Sequence, residues 1–146
     1  MDPDNAIQQG YAWSAAFVSY MVRSDSSFPK SSKHFYYTRD SLFNRTQGKT
    51  SGWLAYRLGK DKISVKVGDI FVRNTNEDTN GHGDIVYKID GNKAYMIGGN
   101  VYSKEGGSKS TSHGVSAKQV RTVIDIKSVE QATGGYGNYK YIVKKV

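Results

Sequence analysis

Cysteine is absent from the chain. That excludes a disulfide framework, a cysteine-based metal site and a thiol nucleophile. Long apolar runs are also missing, and no window approaches the roughly 18 consecutive apolar residues of a membrane span. The first residues, Met1-Asp2-Pro3-Asp4, are acidic and no apolar segment follows them. This is not the pattern of a signal peptide. The expected setting is a cytoplasm until release by lysis, or a virion. Acidic residues are few: 13 against 21 lysines and arginines, for a formal net charge of +8. Such a balance favours anionic partners. The basic residues are scattered, with Lys144-Lys145 and nearby Lys140 the densest group. There is no basic helix and no aromatic platform motif, so no specific nucleic acid is expected. Peptidoglycan or another anionic cell-envelope polymer suits the charge, with other virion proteins as further partners.

What is present suits one domain over residues 1–146. A chain of 146 residues buries roughly two thirds of its unfolded surface and needs no metal or disulfide to fold. Tyrosine is abundant, with 11 copies, which suits half-buried strands and polar-rimmed clefts. Residues 11–23 read as a helix, with Trp13, Phe17 and Met21 on one face. Further helices are predicted from about Ser32 to Phe43 and from Ser51 to Leu58. Strand character begins near Val65, with Ile70 to Arg73 the first clear run. Asp84 to Ile89 and Lys93 to Ile97 flank Asp90-Gly91-Asn92, a hairpin signal. Val120 to Ile126 and Tyr139 to Val146 are two more strand candidates. Helices followed by an antiparallel meander predict an α+β fold, with N-terminal helices packed on an antiparallel sheet.

Three residues stand at predicted element ends, where functional side chains concentrate. Ser14 lies in the first turn of the first helix. His82 precedes a strand, and Asn100 ends the next one. A helix N-terminus offers free N–H groups and partial positive charge to an anionic centre. A histidine beside it serves as base, and an amide or carboxylate on the adjacent strand fixes its tautomer. Asp84 follows His82 by two residues and so projects from the same strand face. It either supports His82 or, with His34 or His113, forms a zinc set. The ligand spacing matches no common zinc motif, so neither a metal nor any cofactor is expected.

The segment from Trp13 to Tyr20, Trp-Ser-Ala-Ala-Phe-Val-Ser-Tyr, resembles the Trp-Cys-Ala-Ala-Phe-Val-Ser-Trp motif of CHAP-type amidohydrolase/peptidases, with serine in place of cysteine. Gly68-Asp69-Ile70 resembles that family's strand opener. Gly81 to Val86 resembles its histidine segment, and Ile97-Gly98-Gly99-Asn100 its Gly-Gly-Asn. The likeness is closer still to the branch called domain of unknown function 2272. Its pattern includes Ser-x-x-His-x-x-Tyr, matched here by Ser31, His34 and Tyr37. The resemblance covers about residues 11–126.

It implies a papain-like NlpC/CHAP fold and a peptidoglycan hydrolase, an amidase or endopeptidase of phage or bacterial association. Ser14 would be the nucleophile, His82 the base and Asn100 the orienter. His34, Asp84 and Trp13 would form the rim. A serine hydroxyl forms no stable ion pair with histidine and must lose its proton during attack. Three readings therefore stay open. The serine is a working nucleophile, the chain is an inactive envelope-binding or structural virion module, or Ser14 is an introduced replacement of cysteine.

Overall fold

The computed structural model describes residues 22–29, 31, 34–73, 82–101, 118–133, 136–137 and 139–146, without the side chains of 99–101 and 118–121. In chain order they form helix α1 (His34–Thr46) and strands β1 (Trp53–Arg57), β2 (Ile70–Arg73), β3 (His82–Asp90), β4 (Lys93–Val101) and β5 (Lys118–Asp125). The short helix α2 (Ile126–Glu130) and strand β6 (Tyr139–Lys145) complete the order. The strands make one six-stranded sheet in the order β1-β6-β2-β3-β4-β5. Every neighbouring pair is antiparallel.

The apolar run of β2 explains its place inside the sheet. Ile70, Phe71 and Val72 are all fully buried, as a strand covered on both faces requires. Ile70 and Val72 point to one face, where they join Tyr37, Trp53, Ile85 and Val143 under α1. Phe71 points to the other, with Val86, Met96, Ile124, Tyr139 and Ile142. That second cluster joins residues from β2 to β6, which a flat sheet with strands about 4.8 Å apart would hold far from one another. The sheet therefore curls around this face.

Segment 22–29 closes the first face at its β1 edge. The Phe28 ring meets Trp53 edge-on at 4.7 Å. The Trp53 indole donates to Asp25 at 3.2 Å, and Lys145 pairs with the same carboxylate at 2.9 Å.

The predicted α+β arrangement, papain-like with N-terminal helices on the sheet, is corrected by these elements. The described residues are dominated by the antiparallel sheet, with one long helix. Residues 11–21 of the predicted helix at 11–23 lie outside them, and its last two, Val22 and Arg23, are in a turn. The predicted helix from Ser51 to Leu58 is strand β1 instead. Its run Trp53-Leu54-Ala55 is buried throughout. It is bounded by Gly52 and Gly59, both at positive φ, which ends regular structure on either side. Pairing with β6 from Trp53↔Lys145 to Arg57↔Tyr141 overrides the run's weak helical character.

The helix predicted near Ser32 to Phe43 is α1, displaced a few residues toward the C-terminus. The β3–β4 hairpin turns at Gly91, whose φ of 58° suits the Asp-Gly-Asn turn. Beyond β5 the chain enters α2, capped by the Asp125 side chain accepting from the Ser128 N–H at 2.9 Å.

Candidate active site

Alternation along β3 sorts its side chains. Gly83 and Ile85 face α1, whereas His82, Asp84 and Val86 face the curled side. Register then assembles a polar group on that side. His82 lies opposite Arg73 on β2, and Arg73 lies opposite Tyr139 on β6. One step along, Asp84 lies between Phe71 on β2 and Gly98 on β4.

The His82 Nε2–H donates to Asp84 Oδ1 at 2.8 Å. The Tyr139 hydroxyl donates to the other carboxylate oxygen, Oδ2. Asp84 is 2% exposed, and these two bonds offset what burying a carboxylate costs. His82 keeps 12% of its side-chain surface, so its ring borders solvent while its partner does not. With Nε2 held by the carboxylate, Nδ1 is the ring atom left to take a proton from a reacting group.

Tyr139 is itself fixed. Its ring packs edge-on against Phe71 at 5.6 Å. The Arg73 guanidinium lies 5.7 Å from its centroid. Burial, followed by the nearby Asp84 charge, pushes the Tyr139 phenol well above its ordinary value, although Thr122 and Arg73 act the other way. The hydroxyl therefore keeps its proton and remains a donor to Asp84.

Two glycines make this arrangement possible. A Cβ on Gly98 would lie 2.0 Å from Asp84 Oδ1 and 3.0 Å from His82 Cε1 and Nε2. Gly98 sits within β4 and leaves the room that the carboxylate and imidazole occupy. On the opposite face a Cβ on Gly83 would lie 2.7 Å from His34 Cε1 and 2.8 Å from the Tyr37 hydroxyl. There α1 lies directly on the β3 backbone.

His34 and Tyr37 share a hydrogen bond through Nδ1 and the hydroxyl, and both are fully buried. Burial, with a smaller contribution from His82, lowers the His34 pKa to about 3. Burial, with the Asp84 charge, pushes the Tyr37 phenol well above its usual value. The pair is neutral and supports β3 from behind.

Of the residues singled out in the sequence, His82 and Asp84 are brought together in direct contact. His34, expected at the rim, is completely enclosed on the far face of β3. Ser14 and Trp13 lie outside the described residues. The Asn100 side chain does too, although its backbone continues β4 two residues past Gly98. Among the described residues no three histidine or carboxylate side chains gather as a metal site. Among them also no helix is long and apolar enough to cross a membrane. Sequence reasoning missed Tyr139, which is remote in the chain and carries no motif.

No family model and no curated protein matches the chain. Two solved structures of Ly7917 are similar to it. The first likeness covers 64% of this chain and 32% of that one, at 16% identity and a TM-score of 0.35. The second is to Ly7917 with the hydrolyzing product of MDP. It covers 99% of this chain and 63% of that one, at 16% identity and a TM-score of 0.41. The chain thus spans about a third and just under two thirds of these neighbours' lengths. Likenesses this distant assign it neither fold nor activity.

Proposed function

We propose that the protein is a peptidoglycan hydrolase, an amidase or endopeptidase that cleaves an amide bond with His82 as general base. The observation that carries this reading is the bond from His82 Nε2 to the buried Asp84. A histidine with one ring nitrogen fixed by a carboxylate and its edge open to solvent is suited to accepting and returning a proton. In this reading Ser14 attacks the carbonyl carbon as His82 Nδ1 takes its hydroxyl proton. The amine leaves with that proton, and water then releases the acyl group by the same path. Asp84 holds the ring through Nε2, the place that the resemblance gives to Asn100.

The order of the four motifs supports the assignment, and the net charge of +8 suits retention on an anionic wall. The setting proposed is a phage- or bacteria-associated lytic role, inside the cell until lysis or carried on a virion. Purified protein should clear a cell-wall suspension, and Ser14→Ala or His82→Ala should abolish clearing. If both variants clear as fast as the parent, the roles given to these residues are wrong.

A second reading follows from the serine itself, a much weaker nucleophile than a thiolate. The chain would then be an envelope-binding or virion structural module. Wall binding with no hydrolysis, unchanged by Ser14→Cys, would favour it.

A further inference from the structure

The geometry points to Tyr139 as a positioning residue that acts on His82 through Asp84. The three side chains form a continuous hydrogen-bonded row: Tyr139 hydroxyl to Asp84 Oδ2, and His82 Nε2 to Asp84 Oδ1. They come from the first residue of β6 and the start of β3, 55 residues apart in sequence. Among the described residues, none adjoining the His-Gly-Asp segment in sequence supplies this donor. An unanchored aspartate has two rotatable bonds and two equivalent oxygens, and would present either to the ring. With Oδ2 committed to Tyr139, only Oδ1 faces His82, so the imidazole has one orientation and one tautomer.

The anchor is itself rigid. Tyr139 is 7% exposed, its ring is wedged against Phe71, and Arg73 covers it. Thr122 on β5 is close enough to influence its hydroxyl. Strand β6 thus reaches across the curled sheet to set the site on β3. Tyr139 reaches His82 only by way of Asp84 among the described residues, so its effect is expected on the chemical step and not on binding.

The activity arm of the test rests on the hydrolase reading, while the spectroscopic arm does not. In the parent protein, ¹⁵N-labelled histidine should show His82 as the Nε2–H tautomer when neutral, with a downfield ring proton protected from solvent exchange. Tyr139→Phe should lose that protection. It should also lower kcat by roughly ten- to a hundredfold at unchanged KM, the size expected for a lost hydrogen bond to a charged group. A Tyr139→Phe protein that keeps both the protected proton and parental kcat overturns the proposal. A parent whose neutral His82 carries its proton on Nδ1 overturns it too, even if the variant fails to fold. Loss of protection in a protein that hydrolyses nothing would retain the row and remove the hydrolase reading.

Discussion

Gly98 shows how much a single missing side chain decides. Within β4 any larger residue would place a carbon 2.0 Å from Asp84 Oδ1, a separation that only displacement of the carboxylate relieves. Gly98→Ala is therefore expected to break the His82–Asp84 bond. Overpacking of this kind costs about 1–3 kcal/mol, so urea unfolding should show a lower midpoint with an unchanged slope. Activity should be lost well before the fold is. A Gly98→Ala protein of parental stability and activity would show that the carboxylate does not occupy the space beside Gly98. In the sequence, the Gly-Gly-Asn run reads equally well as a turn. Its role as an opening in a strand appears only when the register with Asp84 is known.

At the scale of elements, the last strand does more than complete the sheet. Tyr139 at its start enters the site. Near its end Lys144 is buried and reaches the Asp69 carboxylate and, at 2.7 Å, the Ser64 carbonyl. Asp69 also accepts from the Lys66 N–H at 2.7 Å, so this contact shapes the entry to β2. Removing one member of a buried ion pair typically costs about 3–5 kcal/mol. Lys144→Ala should therefore destabilise strongly, as measured by thermal melting. A loss under about 1 kcal/mol would mark the pair as merely superficial.

The strands around this contact are legible in part from the sequence. Ile70 to Arg73, the Asp90-Gly91-Asn92 hairpin and the final strand follow from apolar runs and turn residues. The i, i+2 spacing of His82 and Asp84 likewise puts both on one strand face. Strand β1 is not legible, because the six residues between Gly52 and Gly59 fit a helical turn as well as a strand. The buried stripe of α1 is hidden for another reason. It consists of His34, Tyr37, Thr38 and Ser41, polar residues at helical spacing, while Phe43 on the same helix is 60% exposed. Apolar periodicity cannot report such a face.

At the scale of the whole molecule, His34 ties stability to pH. The folded state holds it neutral down to about pH 3, while in the unfolded chain it protonates near 6.5. Between these values the unfolded state binds the additional proton. Stability is thus fully present above about pH 6.5 and falls as pH drops, by about 1.4 kcal/mol per unit from this group alone. Denaturant unfolding at pH 7 and pH 5 should differ by about 2 kcal/mol, and His34→Gln should remove most of that difference. An equal slope in both proteins would mean His34 is protonated in the fold.

The central claim concerns the opposite face of β3, where His82 is held by Asp84 and Tyr139. It is tested most directly by incubating purified peptidoglycan with the parent protein and with His82→Ala, and measuring the amino groups released. The expected result is steady release by the parent and none by His82→Ala, with equal binding of both to the wall. Equal release by the two proteins, or binding by both with release by neither, would contradict it.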